Sequence, residues 1–334
     1  MANIFFSIKL KRKMTSKWFQ YILDNPDRPW NYDHLSENPN ITWEIVQANP
    51  DKDWNCSWLS LNPNISWDIV QANPTKPSTP WNYACLSANP NITWDIVQAN
   101  PTKPWEYDWG LSSNPNITWD IVQANPTKPW NYSVLSINPN ITWDIVQANP
   151  TKPWNYSCLS INPNITWDIV QANPNKPWDY AYLSNNPNIT WDIVQENPTK
   201  PWDYYYLSVN PNITWDNVEA NPTIPWDYYM LSINPNITWS IVKANPTKDW
   251  KYTRLSRNPN ISWEIVQANP DIPWDYEWLS FNPMSKYEFP LCVMMRRAKE
   301  RTAVIKEELV MKVFHPSRVQ KYIDYYGIDW DDYI

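Results

Sequence analysis

The chain has 334 residues, with 2 glycines against 34 prolines and 26 tryptophans, a balance that excludes glycine-rich phosphate loops and dinucleotide fingerprints. Its formal charge of -7 is unevenly spread: residues 1–20 hold five bases and no acid, residues 21–283 hold 13 bases and 26 acids, and the remainder holds 9 and 8. An acidic body of this kind repels phosphate backbones, so nucleic acid is not expected as a partner.

The start, M-A-N-I-F-F-S-I-K-L-K-R-K, puts its charges after a short apolar stretch, the reverse of a secretory signal. No run approaches the roughly 18 apolar residues of a membrane span, so the expectation is a soluble, intracellular chain without a membrane partner. Residues 1–15 read as a basic segment able to cap one end of a stacked array. In that compartment Cys56, Cys85, Cys158 and Cys292, unevenly spaced and without a C-x-x-C pair, read as thiols.

From residue 16 to 283 the chain is a tandem array. A 24-residue phrase close to N-P-N-I-T-W-D-I-V-Q-A-N-P-T-K-P-W-N-Y-x-x-L-S-x recurs ten times between Pro39 and Pro283, after a degenerate copy, S-K-W-F-Q-Y-I-L-D-N-P, from Ser16 to Pro26. Such a unit cannot bury its own apolar face, so copies must stack, each on its neighbours. Each copy holds two related segments. In the first, Thr or Ser before Trp (Thr42, Ser66, Thr93, Thr118) suits a helix N-cap and the following acid (Glu44, Asp68, Asp95, Asp120) suits a helix start. In the second, Pro precedes Trp (Pro129-Trp130, Pro153-Trp154), where proline is tolerated in an opening turn. Both end at Asn-Pro, which stops a helix, with Asn taking the role glycine often has.

Two helices of about two turns per copy are expected, too short to persist unless packed. A β-solenoid is the rival, since I-T-W-D-I-V is rich in β-formers. The near absence of glycine for tight turns, the missing leucine-rich spacing and the lack of alternation from Trp202 to Ser208 favour helices.

On a helical wheel the constant Leu and Tyr of the second segment define its packed face. The third, fourth and seventh residues after Trp fall together elsewhere and vary most. The fourth reads His34, Trp58, Cys85, Trp109, Val134, Cys158, Tyr182, Tyr206, Met230, Arg254 and Trp278. A variable strip repeated along a stack is the pattern of a binding ribbon, with drift at permissive positions as the alternative. Trp58, Trp109, Tyr182, Tyr206, Met230 and Trp278 are its candidate partner-binding residues, because exposed aromatics anchor interfaces.

Two insertions interrupt the period: Ser78-Thr79-Pro80 lengthens a loop before Trp81, and Gly110 enters the helix-forming segment after Trp109; either could kink the stack or present a contact, and ordinary insertion tolerance is the simpler reading. Residues 284–334 leave the repeat. Arg296 to Phe314 and Ser317 to Tyr326 read as two helices that cap the last copy, and the acidic terminus is a candidate recognition tail.

No nucleophile–base pair, metal cluster or cofactor motif is legible, so no catalytic residue, metal or cofactor is assigned. His34 and His315 lie at opposite ends of what reads as an extended array. The Asp after each Trp (Asp144, Asp168, Asp192, Asp216) could form an acidic line, but helix-start stabilisation accounts for it without calcium.

The phrase N-P-N-I-T-W-[DE]-I-V-Q-A-N-P-x-K-P-W, with E-E-L-V-M-K-V-F-H-P-S-R-V-Q-K-Y-I near the end, resembles tandem-repeat proteins of giant amoeba-infecting DNA viruses of the mimivirus type. The resemblance implies a viral product in the host cytoplasm or virion and carries over no site residues.

The sequence therefore points to an all-α protein: an α-solenoid over 16–283 with terminal caps, elongated to on the order of 100 Å. Its expected role is non-enzymatic, a scaffold that binds protein along an extended surface. A virion or assembly component used as a rigid spacer and an unrecognised enzyme are the alternatives.

Overall fold

The structure, a computed structural model, describes residues 17–74 and 80–284. The chain divides into two compact units, Met1–Phe289 and Pro290–Ile334. The second unit lies outside the described residues. So do the N-terminal segment and, beyond Met284, the C-terminal cap with its two expected helices.

Among the described residues all regular structure is helical, an α-solenoid of eleven hairpins. Each pairs a Trp-led helix such as Trp143–Ala148 with a Tyr-led helix such as Tyr156–Ile161. The Trp-led helices start as the sequence suggests: the hydroxyl of Thr142 accepts the Ile145 N–H at 3.4 Å. The second start is corrected. Pro153-Trp154 does not open the helix; Asn155 is the N-cap, its Oδ1 accepting the Cys158 N–H at 3.0 Å, and the helix begins at Tyr156. An Asn or Asp side chain satisfies helix-start amides, which Pro-Trp cannot, and the indole is used elsewhere. Trp154 Nε1 donates to the Asn149 carbonyl at 2.9 Å, tying the second segment to the end of the first.

Asn ends the helices, but not by a glycine-like backbone. Asn149 has φ -128 and Asn162 φ -64, and the only non-glycine residue at positive φ among those described is Met284. The side chains act instead. Asn149 Nδ2 donates back to the Ile145 carbonyl at 2.8 Å, and Asn162, fully buried, donates to the Ser136 and Asn138 carbonyls of the preceding copy at 2.8 and 3.1 Å. Asn164 extends this seam to the Pro139 and Ile141 carbonyls. These bonds pair loop carbonyls that burial would otherwise leave unsatisfied.

The apolar core follows the same period. The Leu of the Tyr-led helix, the Ile of N-P-N-I and the Val after Trp are buried in every full copy, with both indoles buried or nearly so. The first-segment indole packs on the next copy's second-segment indole, as Trp143 on Trp178 at 5.4 Å, and Tyr156 meets Trp178 edge-on at 5.4 Å. Each buried indole removes about 200 Å² from water, worth about 5 kcal/mol before entropy costs, against about 1 kcal/mol for a helix cap. Indole packing, not helix propensity, holds the copies together.

The same packing bends the array. Where the Tyr-led helices meet, the seam carries small Ser side chains: Asn155 N–H donates to Ser136 Oγ at 3.0 Å. Where the Trp-led helices meet, pairs of indoles intervene. All the helix pairs in closest approach are accordingly Tyr-led neighbours. Wide on one side and narrow on the other, each copy is a wedge.

Eleven wedges complete a turn, about 33° each. The Tyr-led helix Tyr276–Phe281 of the last copy packs against Tyr32–Glu37 of the first just as successive copies do. Asn31 N–H donates to Ser280 Oγ at 2.9 Å, as Asn55 N–H does to Ser36 Oγ. Asn38 Nδ2 donates to the Ser280 and Asn282 carbonyls at 2.9 and 3.0 Å, and Asn40 Nδ2 to that of Pro283, reproducing the bonds of Asn62 and Asn64. Trp30 meets Tyr276 edge-on at 5.1 Å, with Arg28 over the same phenol at 4.8 Å, where other copies use lysine, as Lys128 over Tyr107.

The degenerate first copy fits the joint. Phe19, rather than Trp18, fills the first Trp slot and stacks on Trp54 at 6.0 Å, while Tyr21 bridges Trp263 and Trp30. The expectation of an elongated stack whose two ends are covered only by the terminal segments is thus overturned: the repeat unit is a closed ring whose first and last copies cover each other.

Candidate functional site

A ring has an inner and an outer wall, and the shorter inner circumference belongs to the helices that approach most closely. The Tyr-led helices therefore line the lumen. Within each of them Leu and Ser are buried and Tyr reaches the next copy, so the third, fourth and seventh residues after Trp form the front that faces the opening. The variable strip of the sequence is the lumen wall.

The six candidate residues all lie on this wall. Trp109 is 50% exposed, Trp58 and Tyr182 are exposed, and Tyr206, Met230 and Trp278 are half-buried among their neighbours. The strip is continuous between copies: Tyr182 and Tyr206 lie 6.1 Å apart, and His34 stacks on Trp278 at 5.3 Å across the closing joint. His34 is therefore not at a free end, and its Nε2 lies 4.0 Å from Glu277; His315 lies outside the described residues. Tyr205 and Tyr229, at the third position, are exposed on the same wall and were missed, although the wheel had put that position on the strip.

Gly110 lies inside the helix-forming segment, as the sequence places it. The helix Tyr107–Leu111 is a widened π turn in which Leu111 N–H donates to the Glu106 carbonyl five residues back at 2.8 Å. The extra residue is absorbed there, and Leu111 and Ser112 return to their buried slots. The turn brings Gly110 so close to the preceding Tyr-led helix that a Cβ would lie 2.5 Å from Ser87 Cβ. It also carries Trp109, the most exposed of the large hydrophobic side chains described. The other insertion falls mostly in residues 75–79, outside the described residues; beyond it Trp81 returns to its slot against Trp43 at 5.6 Å.

Axes of neighbouring helices 8–10 Å apart, eleven to the circle, put the inner helix axes on a radius of about 16 Å. Subtracting half a helix diameter leaves an opening of about 20 Å, narrowed further by the rings that project into it.

Its lining is mostly uncharged. The strip has no charged side chain from Ser133 of the fifth copy to Ile233 of the ninth, and its charges are Arg254 and Arg257 against Asp33, Glu37, Asp108 and Glu277. The Arg254 guanidinium lies over the Tyr229 ring, 3.7 Å from its centre, and that of Arg257 over Trp278 at 4.4 Å. Burial, then the neighbouring Arg254 charge, lowers the Arg257 pKa, with Glu37 opposing; burial raises the Glu37 carboxyl, with Arg257 opposing. The thiols of Cys85 and Cys158 on the same wall are pushed up by burial, away from the thiolate a nucleophile needs.

The outer wall differs. The acids after each first Trp, such as Asp144 and Asp168, sit exposed in the first turn of their helices, where the helix dipole favours them. Among the described residues no group of His, Cys, Asp and Glu is placed to hold a metal ion, and no helix is long and apolar enough to cross a membrane. No family model, no curated protein and no solved structure matches the chain.

Proposed function

We propose that this protein is a non-enzymatic binding ring that holds a protein partner in its lumen. The observation that carries the reading is the division of labour within each copy. Positions that pack between copies are nearly constant, and positions that differ gather on one inner wall rich in aromatic side chains. Aromatic side chains give large contact area at low entropic cost and dominate interface energetics. Drift alone would scatter variability over the outer wall too, yet the exposed faces of W-D-I-V-Q-A are among the least varied in the chain.

The closed shape bears on the alternative of a rigid spacer in a virion, because a spacer needs an open rod. The likeness of the repeat phrase to giant-virus tandem-repeat proteins supports the host cytoplasm as the place of action. The test is site-specific photo-crosslinking in host cells, with benzoylphenylalanine replacing Trp109 in the lumen or Asp144 on the outer wall. Covalent adducts to a protein from position 109 and not from 144 are expected. Adducts from 144 alone, or equally from both, would contradict a lumen site.

A further inference from the structure

The lumen wall is divided in a way that describes its occupant. One arc, from Val134 through Tyr182 and Tyr206 to Met230, spans five consecutive copies without a charged side chain on the strip. It is followed at once by Arg254. The Arg254 guanidinium is stacked on Tyr229, and no ion pair or side-chain hydrogen bond holds it among the described residues. A stacked guanidinium keeps its N–H donors at its edge, where a carboxylate can take two of them in plane.

The closed ring adds a constraint of topology. With the first and last copies joined, a partner can enter the lumen only by a free end or by a protruding element slim enough to pass. An extended strand would leave most of the opening empty and its backbone amides unpaired. A single α-helix, about 10–12 Å across with its own hydrogen bonds satisfied, passes an aromatic-narrowed opening of this size. Double-stranded DNA would be wide enough to fill the opening but meets four carboxylates against two guanidiniums on the wall.

We propose that the lumen takes a single amphipathic α-helix, its apolar stripe lying on the arc from Val134 to Met230 and a carboxylate on its polar face held by Arg254. The inference rests on the lumen as the binding site and adds the class of partner. Arg254 acts in it as a specificity-determining contact. Glu277, Asp33 and Glu37, in the two copies beyond Arg254, repel further acids on the occupant and attract basic side chains. The polar face therefore needs one well-placed carboxylate rather than an acidic stripe.

The probes are two fluorescein-labelled, hydrocarbon-stapled helices of about 18 residues, or about 27 Å. They share one Leu/Ala stripe and differ only in carrying Glu or Lys at one position flanking it. Binding is measured by anisotropy to the full chain, to Arg254→Glu, and to the double variant Tyr206→Ser with Met230→Ser. Circular dichroism of each variant confirms that it is folded. The Glu helix is expected to bind more tightly than the Lys helix by tenfold or more, to lose that margin with Arg254→Glu, and to be lost with the double variant.

Failure of the Glu helix to bind, with position-109 crosslinking intact in cells, would overturn the helical partner and leave the lumen reading standing. Binding indifferent to the double variant would overturn both. Binding without preference between Glu and Lys, or unchanged in Arg254→Glu, would overturn the carboxylate contact. Tighter binding of a 20-nucleotide single-stranded DNA than of either helix would overturn the choice of a protein occupant.

Discussion

At the scale of single residues, the constant polar side chains of the repeat are structural bonds between copies. Ser136 Oγ both donates to the Tyr132 carbonyl at 2.6 Å and accepts the Asn155 N–H of the next copy, and Asn162 spans two copies from a fully buried position. Gly110 shows the same economy of space. Its site against Ser87 Cβ and the Ala84 carbonyl has no room for a methyl group. Gly110→Ala is expected to destabilise the ring by about 2 kcal/mol, the scale of overpacking in a tight core. Deleting Gly110, which restores the period of the other copies, should cost less. Urea unfolding followed by tryptophan fluorescence checks both, and an unchanged midpoint for Gly110→Ala would contradict the close approach.

At the scale of elements, most helices run six residues or fewer, below the length at which a helix persists alone. Their stability is borrowed from indoles and asparagines of adjacent copies. A synthetic peptide of one copy, residues 163–186, is therefore expected to show a coil-like circular dichroism spectrum, while the full chain shows a helical one. A helical spectrum for the isolated copy would contradict this dependence. The helical hairpin itself was legible, because T-W-D and N-P mark starts and stops with a local mechanism. The start at Tyr156 was less so: Pro before Trp is a helix-opening signal only if the indole is not needed to pin the preceding turn, and the Trp154–Asn149 bond, though only five residues long, is made to a backbone carbonyl that no residue type in the pattern marks.

At the scale of the whole ring, curvature is the property the sequence concealed. It arises from a difference between two interfaces, Ser and Asn at the inner seam and indole pairs at the outer one, and no single copy reveals the angle between them. That the variable strip would be a surface was readable from the wheel. That the surface would face inward, with His34 beside Trp278, required closure. Closure also explains part of the first copy's departure from the pattern: Tyr21 and Arg28 serve the joint with Trp263 and Tyr276, while Phe19 keeps the ordinary contact with Trp54 of the second copy.

The central claim is that joint, and a distance across it tests the claim directly. Asp33 and Glu277 are exposed on facing copies at the joint. With both replaced by cysteine, the native cysteines replaced by serine and nitroxide labels attached, a closed ring predicts a single short separation, at most about 25 Å once label arms are added to neighbouring helices 8–10 Å apart. An open array of eleven hairpins would set the same labels roughly 90 Å apart. A distribution centred at that long distance would contradict the ring, and with it the lumen as a binding site.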